Sequence, residues 1–177
     1  EVNGVSTPLV GAGQKSGTYW VLDRASGRMV WNTRTGTGGK LGGYLGAQGY
    51  SAGQIFGLVN FFAQLPQLSF PTGSTLVALN AASGAPTWNR GFNFGRHGIA
   101  WSVSPVATTP ALVFAGNKLG LILAYDLAGQ LRWVYETGAS MFGGAAIVGG
   151  TVYVGSGAGL SAIGKRGQRL FAFSVDG

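Results

Sequence analysis

Short apolar runs, interrupted every few residues by glycine, recur along this chain, and none keeps a 3.6-residue apolar period past two turns. The pattern predicts strand over roughly 40% of the chain or more and helix over less than about 10%. The runs are organised as a repeat. Residues 17–31 read GTYWVLDRASGRMVW, residues 73–88 read GSTLVALNAASGAPTW, and residues 120–133 read GLILAYDLAGQLRW. A degenerate copy, GQRLFAFSVDG, closes the chain at 167–177. Each copy reads as a hairpin whose Asp or Asn caps a turn through its side chain, as Asp23 and Asp126 do, and whose glycine (Gly27, Gly84, Gly129) supplies positive φ. Further apolar pieces at 8–12, 55–59, 111–115, 145–148 and 151–155 bring each repeat to about four short strands.

Four short strands per repeat is the make-up of a β-propeller blade. The expected units are approximately 1–45, 46–100, 101–142 and 143–177. Trp31, Trp88 and Trp133 recur at one position of the repeat, which marks them as residues docked between neighbouring blades more than as stacking platforms for a ligand. The stretch Ala63–Pro71, with its rise in Gln and Pro, reads as an inserted loop.

Composition narrows the chemistry. Glycine fills 33 of 177 positions, against an ordinary share of about 7%, and apolar residues make up 46%, so the chain is not a disordered low-complexity segment. The net charge of +7 comes from basic residues scattered singly, apart from Lys165-Arg166; with no basic stripe or recognition helix, nucleic-acid binding is not expected. There is no cysteine, and the single His97 cannot build a histidine metal site alone. No run of 18 apolar residues indicates a membrane helix. The five acids form no pair placed for general acid and base work, so no catalytic residue and no metal ligand is expected within the chain.

The hairpin repeat resembles the tryptophan-docking motif of pyrroloquinoline-quinone (PQQ) dehydrogenases, and most of all their polyvinyl-alcohol-dehydrogenase-like members. The resemblance rests on VGAGQKSGTYWVLDRASGRMVWNTRTGTGGKLGG at 10–43, AGNKLGLILAYDLAGQLRWVYETGASMFGGAAI at 115–147, and VYVGSGAG with RLFAFSVDG at the end. It implies about four blades of an eight-bladed, all-β quinoprotein propeller, placed toward the C-terminus of a longer protein. It also implies an extracytoplasmic or secreted location, and partners in the form of further blades from the same or another chain. Blades left open would expose apolar faces and an unpaired edge beside Leu170–Val175.

The resemblance also nominates residues. Lys15-Ser16-Gly17 followed by Asp23 fits the motif that sets a lysine against the quinone carbonyls, where an ammonium stabilises developing negative charge; a solvated strand-end lysine is the plainer reading. The loop Gly138–Gly144 is similar to one approaching the propeller axis, with Gly143 and Gly144 bare enough to meet a flat ring, or else it is an ordinary inter-blade turn. The family's catalytic aspartate and calcium ligands fall before Glu1, so PQQ and calcium are implied for a complete protein and not from this chain alone. Where the family shows Trp-Gly-Ala-Ala-x-Asp, this chain has Tyr44-Leu45-Gly46-Ala47-Gln48-Gly49. Two functions follow: an alcohol-oxidising quinoprotein, or a catalytically inactive propeller serving as a binding or scaffold module.

Overall fold

A computed structural model of the chain describes residues 1–65, 68–92, 101–157 and 164–174, and among them all regular structure is β-strand. The strands form four antiparallel sheets. The first runs β1 (Leu9–Gly13), β2 (Thr18–Asp23), β3 (Met29–Arg34). The second contains β4 (Gly43–Tyr44), β5 (Gly49–Ser51), β6 (Gln54–Leu65), β7 (Leu68–Asn80) and β8 (Pro86–Gly91), with β4 and β5 both pairing with β6. The third contains β9 (Ala107–Thr108), β10 (Leu112–Gly116), β11 (Leu121–Asp126) and β12 (Leu131–Glu136). The fourth contains β13 (Ala146–Val148), β14 (Thr151–Ser156) and β15 (Arg169–Ser174).

The repeat sets each hairpin. Asp23 Oδ1 accepts from the amides of Ala25 (3.0 Å) and Ser26 (2.7 Å), and Asn80 Oδ1 accepts from those of Ala82 and Ser83 (both 3.0 Å). Asp126 Oδ1 accepts from Ala128 (3.0 Å) and Gln130 (2.8 Å). The glycine ending each turn has φ of 70°, 74° and 81° at Gly27, Gly84 and Gly129, a region other residues avoid. Past each turn the ladder shifts register, between Val21/Leu22, Ala78/Leu79 and Ala124/Tyr125. These bulges put Trp31 opposite Val21, Trp88 opposite Ala78 and Trp133 opposite Ala124.

Each tryptophan then reaches the next sheet. Trp31 Nε1 donates to the Ala81 carbonyl (3.1 Å), and Trp88 Nε1 to that of Leu127 (2.9 Å). Two residues on, Thr33 Oγ1 donates to the Gly84 carbonyl and Arg90 Nε to that of Gly129, both at 2.7 Å. Trp133 packs edge-on to Phe173 of the fourth sheet, ring centroids 4.8 Å apart. Trp31 is buried, while Trp88 and Trp133 are half-buried. Three apolar clusters fill the spaces between consecutive sheets, built around Tyr19, Val59 and Leu79, then Phe56, Leu76 and Tyr125, then Ile122, Met141 and Val154. Four sheets stacked face to face in this way are propeller blades.

The sequence expectation fails at Ala63–Pro71. β6 and β7 run on through that stretch as a paired arm, with Phe62 opposite Pro71, Ala63 opposite Phe70 and Leu65 opposite Leu68. The ladder shifts between Phe61 and Phe62, where Phe61 faces Gly73 and Phe62 faces Pro71; a bulge is where a strand tolerates a proline. The second sheet also takes its first strand from Gly43–Tyr44, ahead of the expected start at 46. His97 lies outside the described residues.

The two outermost faces carry exposed apolar side chains. On the first sheet, Val10 and Trp20 point away from the second sheet and are 51% and 39% exposed. On the fourth, Val148 and Leu170 are 66% and 74% exposed. Among the described residues no strand pairs with the free edge of β15; Val175, counted in the expected edge, lies outside them.

Candidate functional site

The turns at one end of the sheets carry the candidate chemistry. The β1–β2 turn closes through Gln14 N to Thr18 O and Gly17 N to Gln14 O, both 2.9 Å, and the β10–β11 turn closes alike through Asn117 N to Leu121 O (3.0 Å) and Gly120 N to Asn117 O (3.1 Å). Lys15 and Lys118 hold the same position in the two turns. The glycine run after β3 lies against the first of them: Gly39 N donates to Lys15 O (3.3 Å), Tyr44 N donates to Gln14 O (3.2 Å), and a β-carbon on Gly43 would stand 2.5 Å from Lys15 O. Gln14 Oε1 accepts from Ser16 Oγ (2.7 Å) and Trp20 Nε1 (3.2 Å). The backbone under Lys15 is thus fixed while its side chain is exposed. Among the described residues the one ion pair is Arg132–Asp126 (2.6 Å), at the opposite end of the third sheet.

Lys118 sits in a second cluster that the sequence reading missed. Its ammonium lies 5.7 Å from the ring centroid of Trp101, which is 3% exposed and packs on Phe142 at 5.8 Å. Lys118 N donates to Trp101 O (3.1 Å). Ser140 Oγ donates to the main-chain Lys118 O (2.5 Å) and accepts from the main-chain Lys165 N (2.7 Å), so one hydroxyl ties the two backbone segments together. Asn60, at the base of the arm, donates to Ser102 O (2.6 Å) and accepts from Ser102 N (2.9 Å), which ties the Trp101 segment to the second sheet. Comparing GQKSG at 13–17 with GNKLG at 116–120 would have revealed Lys118.

Gly143 and Gly144 belong to this second cluster. The Gly143 carbonyl accepts from Ser104 Oγ (2.9 Å), and a β-carbon on Gly144 would meet Pro105 at 3.0 Å. No described contact joins them to Lys15. Tyr44 is 4% exposed, edge-on to Tyr19 at 5.7 Å and hydrogen-bonded through its hydroxyl to Thr35 Oγ1 (2.7 Å); burial pushes its phenol up to about 12. Gln48 Oε1 accepts from Gly13 N (3.2 Å), and its Nε2 donates to Gly46 O (2.5 Å). Tyr44, in place of the family's Trp, is therefore spent on the protein's own structure, and Gly49, in place of its Asp, has no side chain to offer. Asp23 and Asp126 cap turns at the opposite end, and the hydrogen bonds they accept hold both carboxyls below the ordinary range. Among the described residues no three or more His, Cys, Asp or Glu gather as a metal site, and no helix is long and apolar enough to cross a membrane.

Stacked antiparallel sheets of three to five strands, with a tryptophan docked at each junction, define a β-propeller of the quinoprotein type. Residues 21–176 match the PQQ_2 family, described as outer membrane protein assembly factor BamB, and the chain belongs to that family. Over 93% of its length it is 32% identical to the polyvinylalcohol dehydrogenase of Sphingopyxis sp. strain 113P3, of which it spans 30%. Its fold is also that of two solved quinohemoprotein alcohol dehydrogenases. The one from Pseudomonas putida HK5 is 15% identical, with a TM-score of 0.62 over 89% of this chain and 33% of that one. The one from Comamonas testosteroni is 17% identical, with a TM-score of 0.61 over 86% of this chain and 28% of that one.

Proposed function

We propose that these blades form part of a PQQ-dependent oxidoreductase acting on alcohols, as the name of the polyvinylalcohol dehydrogenase relative suggests. The observation that carries this reading is Lys15: an exposed ammonium with no carboxylate partner among the described residues, standing on a turn clamped by the glycine run 38–43. That donor suits a quinone carbonyl, and the Lys118 ammonium over the Trp101 ring on the same end of the sheets suits an anionic, flat ring system. When bound, the quinone would accept the electrons of the alcohol. Lys15 would hold a quinone oxygen and stabilise negative charge there, while the Gly143–Gly144 backbone would line the approach. Calcium would be held by residues outside this chain.

The binding-module reading is favoured by Tyr44, buried where the family has Trp, and by Gly49 where it has Asp. One experiment separates the two: titrate the full-length protein with PQQ and Ca²⁺, and follow alcohol-dependent dye reduction. Saturable cofactor binding and turnover that fall at least tenfold in Lys15→Ala, with unchanged melting, support the oxidoreductase. A full-length protein that binds no quinone supports the scaffold.

The remaining blades are the proposed partner, and the likeness to these relatives supports an extracytoplasmic location as part of the same proposal. The apolar faces around Val10 and Trp20, and around Val148 and Leu170, suit neighbouring sheets. So does Gly27, which has the conformation of Gly84 and Gly129 but no neighbour within 4 Å of where its β-carbon would be.

A further inference from the structure

The fold gathers cations that stand almost singly along the sequence. Lys15, Lys40, Lys118 and Lys165, all the lysines of the chain, lie at one end of the sheets. Backbone contacts put them there. Gly39 N on Lys15 O sets the glycine run that ends in Lys40 against the first turn, Lys118 N meets Trp101 O, and Ser140 Oγ ties Lys165 to Lys118. Arg34 and Arg169 stand at the same end, opposite Thr18 and Ser156 in their ladders, and Arg166 follows Lys165. All are exposed except Lys118, half-buried over Trp101, and none is in an ion pair among the described residues. Glu136, opposite Leu121, is the one carboxylate described at this end. At the other end Arg24, Arg28 and Arg132 are matched by Glu1, Asp23 and Asp126.

The second sheet adds a different feature at the same end. Its pair Phe56–Ala78 corresponds to Gly11–Val21 and Phe114–Ala124, so Leu58–Leu76 stands where the first and third sheets turn, after Gly13–Tyr19 and Gly116–Ile122. β6 and β7 do not turn there. They continue from Val59–Thr75 to Leu65–Leu68, about 20 Å of further strand. The base of this arm is braced on both sides. A β-carbon on Gly39, beside Lys15, would stand 3.3 Å from Phe62 Cβ, and Asn60 holds Ser102 beside Trp101. No charged residue occurs between Lys40 and Arg90. An uncharged arm therefore rises from the middle of the basic end.

We propose that this end of the protein docks on an anionic lipid surface, its cations among the headgroups and the arm entering the headgroup layer between them. The cations sit on separate backbone segments, so their spacing matches no single small anion. A fluid layer of anionic headgroups adapts to any spacing, and each lysine or arginine near it adds attraction. A folded acidic partner would need a fixed matching pattern, with room for a projecting uncharged hairpin. The ladder pairs the arm's inner backbone groups, and the headgroup layer, unlike the hydrocarbon core, still supplies partners for its outer edges. This inference stands apart from the quinone reading, since Lys15 and Lys118 are two cations among several.

The test uses the full-length protein without quinone, with EDTA present, in co-sedimentation with vesicles. Wild type is expected to bind phosphatidylcholine vesicles carrying about 30% phosphatidylglycerol at about 0.05 M salt. Its partition should fall roughly tenfold or more on pure phosphatidylcholine, or at about 0.5 M salt. Lys40→Glu with Lys165→Glu leaves the side chains of Lys15 and Lys118 in place and should weaken binding to the anionic vesicles roughly tenfold. Arg24→Glu with Arg28→Glu, at the opposite end, should change it by less than about twofold. Leu65→Ser with Leu68→Ser, at unchanged charge, should weaken it about threefold. No binding to the anionic vesicles, binding that salt does not weaken, or equal losses from reversal at the two ends overturns the proposal. So does tighter binding to soluble poly-glutamate than to vesicles with no effect of the arm variant, which would assign this end to an acidic protein.

Discussion

Trp31 of the first sheet closes directly on Gly84 of the second: a β-carbon on that glycine would stand 2.4 Å from the indole Cε3. Trp88 repeats the relationship with Gly129, at 2.7 Å from Cδ2. Glycine is thus required twice over, by its φ of 74° and by the ring above it. Gly53 provides the control, because its φ is 75° and no atom lies within 4 Å of its β-carbon position. Gly53→Ala should cost only the backbone term, about 1–2 kcal/mol, and Gly84→Ala about 2–4 kcal/mol because the indole must also move. Urea denaturation of the two variants, compared at equal slope, checks the difference.

Gly27 extends the comparison to the proposed neighbouring blade. Among the described residues nothing covers it, so backbone strain alone would make Gly27→Ala behave like Gly53→Ala. If a further blade docks its tryptophan there, the full-length protein carrying Gly27→Ala should lose as much stability as Gly84→Ala. Equal melting of the Gly27→Ala and Gly53→Ala proteins would remove the docked neighbour.

The blades were legible in the sequence because each is specified locally. An Asp or Asn cap, a glycine at positive φ and a tryptophan one strand later all lie within about sixteen residues, and the ladder follows from them. The arm between Phe61 and Gly73 was not legible: its Gln and Pro content is that of a loop, and only the register shift at Phe61/Phe62 lets Pro71 sit within a strand. Lys15 could be nominated from its motif. The pairing of Lys118 with Trp101 depends on the loop before β9 folding back on the β10–β11 turn, a contact between residues 17 apart with no periodic signal.

The turn caps give the protein an acid limit. Hydrogen bonds from Ser26 hold Asp23 below its ordinary value of 3.8, and those from Gln130 and Arg132 do the same for Asp126. A carboxyl whose pKa is depressed on folding contributes stability that is present above its unfolded value and is lost as pH falls through the folded one. Melting temperature should therefore hold down to about pH 4 and fall below it. The Asp23→Asn and Asp126→Asn double variant, which keeps a cap oxygen but no charge, should show a shallower decline. An identical acid limb in wild type and variant would assign the loss to other carboxyls.

Tyr44 sets the corresponding alkaline behaviour and reports whether the pocket that replaces the family's tryptophan is closed. The ring is wedged between glycines: a β-carbon would stand 2.3 Å from its Cγ at Gly13 and 2.6 Å from its Cε1 at Gly57. Desolvation there raises the phenol from 10.0 to about 12, against the hydrogen bond with Thr35, which lowers it. Because the folded pKa lies above the unfolded one, the stabilising contribution is intact below pH 10 and is lost as pH rises through about 12. Tyr44→Phe loses the Thr35 hydrogen bond, so at pH 7 it should be less stable than wild type by about 1 kcal/mol. It has no phenol to ionise on unfolding, so above pH 10 the gap should close at about 1 kcal/mol per pH unit and then reverse. Urea midpoints of the two proteins at about pH 7, 10 and 11.5 check the crossing. A constant gap across that range would mean that solvent already reaches the Tyr44 hydroxyl, leaving room beside β4 for a ligand's edge.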